Sequence, residues 1–437
     1  MQFLSKKQLL FISFMLFSMF FGAGNLIFPA FLGRASGSDT FISMAGFIIS
    51  AVGLPILGVI AVAKIGNLNT LGQRVSPGFA FIFPLLIYIS IGPLMAIPRA
   101  ATVSFEMGLK PFLQHSTSDT IPLIIYSLIF FGLVLWFSLS PNKLIDLFGK
   151  VLTPSLLILL AIILIKSILT PLGGTAETAA AYQENTFFKG FLDGYMTMDL
   201  LASLVFGIVI ANTIYTQGIT DKKSLSLSMM VAGLGAGALL AAIYIILGFL
   251  GASSGLMHGQ ADNGATVLSQ VMQQLFGQAG TILLAIIFTI ACLCVSIGLV
   301  ISCSEYFSVV FKKKWSYKKW ALLTTLISAI LANLGLNAIL SFSVPVLGLI
   351  YPIAVVLILL ALADSWIQSS RIVYILSISF TAIYSILDTL NNTLLNKSLT
   401  GLLADIPLYE QQVGWFLPAI VGVAIGIAVD RTIKKAY

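Results

Sequence analysis

Three short clusters in this 437-residue chain carry residue types that apolar packing alone does not call for. The first is Phe20-Phe21-Gly22-Ala23-Gly24-Asn25-Leu26-Ile27-Phe28-Pro29, inside a hydrophobic run from Leu9 to Leu32. Gly22 and Gly24 each weaken a helix by about 1 kcal/mol relative to Ala, Asn25 places an amide mid-run, and Pro29 removes a backbone donor. The second is Gly190 followed by Gly194-Tyr195-Met196-Thr197-Met198-Asp199, where Asp199 falls near the centre of another apolar run. A carboxyl at that depth costs at least about 2.5 kcal/mol on insertion scales, which makes it a candidate functional group, the alternative being an inter-helix hydrogen bond for stability alone. The third is Thr289, Ser296, Ser302 and Ser304 around Ala291, Cys292, Leu293 and Cys294. Backbone that leaves the helix inside hydrocarbon survives only where protein covers it or where it lines a cavity. The N–H and C=O groups released at the first break are therefore candidate binding groups. Ser296, mid-run with Cys292 one turn before it and Gly298 beside it, could complete with released carbonyls an oxygen cage for a monovalent cation. Serine in such runs also commonly bonds back to its own helix.

The elements that must position these clusters are membrane spans. The chain is 58% hydrophobic and 9% charged, with a mean hydropathy of +1.03, too little polar surface for a soluble globule of this length. We read an all-α polytopic membrane protein of about 12 transmembrane helices, near 9–32, 41–63, 78–107, 120–140, 145–167, 188–217, 225–251, 278–308, 320–335, 341–362, 372–388 and 412–429. Lys6 and Lys7 precede a long apolar run without a small-residue cleavage site, the mark of a retained first span rather than a signal peptide. With an even number of spans, seventeen basic residues, including Lys64, Arg74, Lys143, Lys222, Lys313 and Arg371, fall on one side with both termini and five on the other, which places both termini in the cytoplasm. The net charge of +7 is then explained by loops such as Lys312 to Lys319 facing anionic membrane lipid, and nucleic acid is not called for. His115 and His258 sit in loops, and Cys292, Cys294 and Cys303 share one apolar segment, so neither a histidine-based catalytic centre nor a disulfide framework is expected. With no nucleotide-binding loop, metal cluster or activated nucleophile in the sequence, the chain reads as a transporter and not an enzyme.

Interruptions in the first and sixth spans suggest two five-helix repeats of opposite orientation, about 9–167 and 188–362, followed by two extra helices at about 372–429, in one transmembrane domain, 1–437. Thr102-Val103-Ser104-Phe105-Glu106 and Ile301-Ser302-Cys303-Ser304-Glu305 echo each other at the ends of the third and eighth spans. Arg99 lies about two turns before Glu106 on nearly the same face; an outer gate formed by Arg99 and Glu106, or a structural ion pair, both fit. Asp262-Asn263-Gly264 precedes Val267, Leu268, Val271, Met272, Leu275 and Phe276 at helical spacing, either a lid or a packed connector over 264–276.

These residues resemble the branched-chain amino acid:cation symporter family, a branch of the amino acid-polyamine-organocation superfamily with the LeuT-type 5+5 inverted repeat and broken helices 1 and 6. The likeness is carried by Phe20 to Pro29, Gly53-Leu54-Pro55, Gly92-Pro93-Leu94, Pro98-Arg99, Gly194-Tyr195 with Thr197-Met198-Asp199, Val205-Phe206-Gly207, Ala291-Cys292-Leu293, Ser343 to Leu347 and Tyr351-Pro352. It implies sodium-coupled uptake of leucine, isoleucine and valine across a bacterial cytoplasmic (inner) membrane, with Na⁺ as coupling ion and no other cofactor. It also implies a substrate site in which the Ala23 and Gly24 amides hold the carboxylate and Gly22 gives room, as a half-helix N-terminus favours. The ammonium would meet carbonyls near Phe20 and from Tyr195 through Thr197 and Met198, with Asp199 balancing its charge. For sodium the matching positions are the carbonyls of Ser18, Phe21 and Cys292 and the hydroxyl of Ser296, with the Phe20 carbonyl and the Asn25 side-chain oxygen beside them. Relatives often show a threonine where this chain has Cys294 or Val295, and a thiol is a poor partner for Na⁺, so coupling to H⁺ through Asp199 stays open. The rival readings are a proton-coupled carrier of another small amino acid or amine, and a channel or sensor on the same fold. Oligomeric state is open.

Overall fold

A chain with so few polar side chains must satisfy its backbone within helices if it is to cross a membrane. The computed structural model describes residues 4–113, 120–140, 145–170, 172–257, 261, 263–312, 314–368 and 370–436, and the extended elements among them are all helical. His115, His258, Lys143, Asp262 and Lys313 lie outside the described residues.

Ten helical stretches among the described residues are long and apolar enough to span a bilayer. The sequence leads to twelve, and the difference has two causes. The first expected span is split into Lys6–Phe20 and a helix beginning at Ala23, which runs on with the second span as one apolar stretch, Ala23–Ile65. The ninth, Tyr317–Ala332, has only 16 residues. The third, sixth, seventh, eighth and tenth spans are Pro77–Phe112, Thr186–Thr216, Lys222–Ser253, Gln278–Val310 and Leu336–Leu362.

Caps fall where short polar side chains stand. Ser5 and Gln8 form a reciprocal capping box at the first helix. Asp221 accepts from the Ser224 amide at 3.0 Å and its hydroxyl at 2.8 Å, which starts the seventh span and holds this carboxyl below the usual range. Among the described residues three spans contain π-helical turns, Ile49–Gly53, Ser90–Leu94 and Ile145–Leu152. In the second of these, Gly92 leaves helical geometry (φ −80, ψ −113) ahead of Pro93, so the remainder of the third span, Ala96–Gly108, is re-aimed.

The helix after the first break, Ala23–Ser36, packs against the seventh span through small residues. A Cβ on Gly33 would run into the Gly248 carbonyl and stand 3.0 Å from the Ala252 nitrogen, and one on Gly251 would stand 3.0 Å from the Arg34 nitrogen. Backbones approach this closely only where side chains are absent. Gly33→Val is therefore expected to cost about 3 kcal/mol from overpacking, read as a lowered thermal unfolding midpoint of the purified protein. An unchanged midpoint would refute this packing. The helix Gly264–Phe276, started by the Asn263 side chain accepting from the Thr266 amide at 3.0 Å, buries Val267, Leu268, Val271 and Met272 against Ala23–Ser36 and the eighth span.

Candidate functional site

The first helix ends because the turn that should close on Ser18 is taken elsewhere. The Phe21 amide still reaches the Phe17 carbonyl at 2.8 Å, but the Gly22 amide donates to Asn25 Oδ1 at 3.1 Å. Gly22 is extended (φ −122, ψ −161), and the second helix starts at Ala23. Asn25, 1% exposed, thus orders the break with its oxygen and spends its nitrogen on Asp199 Oδ2, at 2.6 Å, and on the Tyr244 hydroxyl. Substituents are tightly limited on both glycines. A Cβ on Gly22 would stand 2.8 Å from Val295 Cγ1, and one on Gly24 would stand 3.0 Å from Arg99 Nη2.

The sixth span breaks opposite. Its first half, Thr186–Tyr195, ends in a turn where Met198 takes a left-handed conformation (φ 68), and the second half begins at Asp199. A methionine pays for that backbone with strain. The Thr197 hydroxyl donates to the Gly194 carbonyl at 2.9 Å. Asp199, 2% exposed, accepts from Asn25 and, at 2.8 Å, from the Tyr244 hydroxyl of the seventh span. The Met196 carbonyl receives Arg99 Nη1 at 2.9 Å.

Phe20, Gly22, Ala23, Gly24, Asn25, Thr197, Met198, Asp199 and Arg99 therefore border one buried cavity of about 30 Å³. The rest of its wall is aliphatic: Ile91, Ala96, Ala100, Ala202, Val295 and Leu299. Tyr195 stands apart, its ring stacked on Tyr351 with centroids 4.3 Å apart. Glu106 does not border the cavity, and the Arg99 guanidinium lies at Met196 and over the Phe28 ring, 6.0 Å from its centroid, rather than on Glu106.

On its other side the break meets the eighth span. Val295 fills the space at Gly22, Met19 packs on Gly298, and the Ala23 amide lies against the Cys292 thiol. Ser18, Phe21, Cys292 and Ser296 are all fully buried. The Ser18 hydroxyl pairs with Thr153 of the fifth span, which also reaches the Phe14 carbonyl at 2.7 Å. Ser302 and Ser304 bond back to Gly298 and Val300, whereas the Ser296 hydroxyl has no hydrogen-bond partner among the described residues. A buried hydroxyl left unpaired is costly, and this one lies between Val295 and Gly298, which meet Gly22 and Met19 at the break. At the far end of the same span, Glu305 accepts from Asn212 of the sixth at 3.0 Å.

A second, larger cavity, about 950 Å³, opens near Lys64 and Lys222 and reaches Tyr88, Leu204 and Tyr306. Tyr88 and Tyr306 stack face to face, centroids 3.8 Å apart. Tyr88 stands one turn before Ile91, and Tyr306 two turns after Leu299, so the two spans that line the smaller cavity also bring this stacked pair to the wall of the larger one. Tyr244, Thr153 and, apart from Val295, the aliphatic wall were not singled out by sequence. For Tyr244 the available signal was a phenol in mid-span, in Ala241-Ala242-Ile243-Tyr244-Ile245; for Thr153 there was none beyond a hydroxyl near a span end.

Residues 5–433 match the family described as Branched-chain amino acid transport protein. The branched-chain amino acid permease BraB of Bacillus subtilis (strain 168) is 44% identical over 423 residues, covering 96% of this chain and 95% of its own. The branched-chain amino acid permease BrnQ of Escherichia coli (strain K12) is 37% identical over 429 residues, 98% of this chain and 97% of its own. Among solved structures, MhsT in complex with L-phenylalanine is similar with a TM-score of 0.58 at 18% identity, over 89% of this chain and 98% of that one. Mhp1, a nucleobase-cation-symport-1 family transporter in a closed conformation, is similar with a TM-score of 0.62 at 11% identity, over 98% and 93%. Both have the LeuT-type fold, and the broken first and sixth spans described above are arranged as that fold requires.

Proposed function

This chain belongs to the branched-chain amino acid transport protein family, permeases rather than enzymes, and from that premise we propose that it takes up leucine, isoleucine and valine by sodium-coupled symport. The observation that carries the reading is the meeting of two broken spans around one buried cavity, with released backbone groups and Asp199 at one end and an aliphatic wall at the other. A wall of Ile91, Ala96, Ala100, Ala202, Val295 and Leu299 suits a branched aliphatic side chain. Such a wall separates neighbours differing by one methylene by only about 1–3 kcal/mol, so the three substrates compete.

A space of about 30 Å³ holds water-sized groups, and the site must widen to admit an amino acid. Rocking of the first and sixth spans against the third and eighth does this, and it also parts Tyr88 from Tyr306 toward the larger cavity. We place that cavity, both termini and the basic loops on the cytoplasmic side of a bacterial inner membrane. The unpaired Ser296 hydroxyl supports a sodium ion held there with the Ser18, Phe21 and Cys292 carbonyls. The second reading, proton coupling, has its own support in Asp199, a buried carboxyl that accepts hydrogen bonds from the neutral donors Asn25 and Tyr244.

Labelled leucine uptake into proteoliposomes separates the two. An inward Na⁺ gradient at equal pH is expected to drive accumulation, and an inward H⁺ gradient without Na⁺ is not. The reverse result would move coupling to Asp199, and no accumulation under either gradient would remove coupled transport.

A further inference from the structure

We propose that Arg99 binds the carboxylate of the transported amino acid, its guanidinium acting together with the amides at the start of the helix Ala23–Ser36; the inference rests on the amino acid transport reading above. Arg99 lies on the third span just beyond the Gly92 kink, is 5% exposed, and borders the cavity. Nη1 donates to the Met196 carbonyl at 2.9 Å. Nη2 donates to no acceptor among the described residues and lies 3.0 Å from where a Cβ on Gly24 would stand, at the helix N-terminus itself. No carboxylate forms an ion pair with Arg99 among the described residues. Asp199 borders the same cavity, where its charge acts on Arg99 across the space without an ion-pair contact, and its Oδ2 is engaged by Asn25 and Tyr244.

Two positive poles therefore converge on one buried space. A guanidinium out of water needs an anion to offset its desolvation; Asp199 does so only across the cavity, and the neighbouring helix start, itself partly positive with unpaired amides, adds to the demand for an anion in direct contact. A carboxylate placed there receives the planar guanidinium edge and the backbone amides at once. Asp199 borders the same space with the opposite charge, for the ammonium, so the cavity offers a positive and a negative wall to a zwitterion. This also accounts for Gly24: a side chain there would press on Nη2. The chemistry selected is an α-amino acid over an amine of the same shape.

Calorimetric titration of the purified protein with L-leucine and with L-leucinamide, which keeps the ammonium and side chain but has no carboxylate, tests this. Arg99→Gln is expected to weaken leucine binding by at least about 30-fold, the loss typical of truncating one partner of a buried charge pair, while leucinamide changes by less than about 3-fold. Arg99→Lys is expected to recover part of the leucine affinity and leave leucinamide unchanged. Leucine binding unaffected by Arg99→Gln would overturn the proposal, as would equal losses for both ligands in both variants, which would assign Arg99 to structure. A wild-type protein that binds neither ligand would instead overturn the transport reading.

Discussion

Asp199→Asn is expected to lower concentrative leucine uptake by about 100-fold or more while the protein still inserts and folds. The reasoning starts from what the substitution keeps. Asp199 Oδ2 accepts from Asn25 at 2.6 Å and from Tyr244 at 2.8 Å. An amide oxygen in the same place accepts both, so the ties among the first, sixth and seventh spans survive. What is lost is the charge, which in the proposed site balances the substrate ammonium. Removing one charge from a buried pair costs about 2–5 kcal/mol, and each 1.4 kcal/mol is about tenfold. Tyr244→Phe supplies the contrast, because it deletes one neutral donor and keeps the carboxylate; a loss of a few-fold is expected, in line with about 1 kcal/mol for one neutral hydrogen bond. Uptake, thermal midpoint and monodispersity measured on all three proteins decide the matter. Uptake by Asp199→Asn at the parental rate would take the carboxylate out of the site, and a collapsed midpoint would make its role structural.

The first break was legible because glycine and asparagine in mid-run have no other reward: Gly22 to Asn25 form the turn that their types call for. Asp199 was legible for the same reason, as the expensive residue in its span. The resemblance implies a Tyr195 carbonyl near the substrate ammonium; in the fold that carbonyl accepts the Met198 amide at 3.0 Å. Tyr195 is the last residue of one half-helix and stacks on Tyr351, whereas Met198 reverses the backbone and sends Thr197 to Asp199 to the cavity. Arg99 was read by its helical spacing from Glu106. That spacing holds, but the turn at Gly92 redirects the whole segment, and which neighbour a side chain then meets is a tertiary property. Tyr244 and Thr153 escaped because a lone phenol or hydroxyl in an apolar helix is ordinary until its partner on another span is known. Span number suffered from the same break, since a helix that restarts at Ala23 continues into its neighbour.

Ser296→Ala is expected to produce opposite signs in two thermal unfolding experiments. In choline chloride the variant should match or exceed the parent midpoint. The Ser296 hydroxyl is fully buried without a partner among the described residues, and an unsatisfied buried polar group costs about 1–3 kcal/mol, a penalty that alanine removes. In sodium chloride the order should reverse. If the hydroxyl completes an oxygen cage with carbonyls freed at the break, sodium stabilises the parent by about 2.7 kcal/mol at a hundredfold excess over its dissociation constant, and the variant loses most of that gain. Leucine uptake by the variant should then require at least about tenfold more sodium for half its maximal rate, the equivalent of about 1.4 kcal/mol of ion affinity. A hydroxyl serving structure alone would lower the midpoint equally in both salts, and that pattern would remove Ser296 from the coupling site. The two-salt comparison therefore tests the cation site without relying on transport, and it does so at a position where the side chains of Cys292 and Cys294 are thiols, soft donors that Na⁺ does not favour.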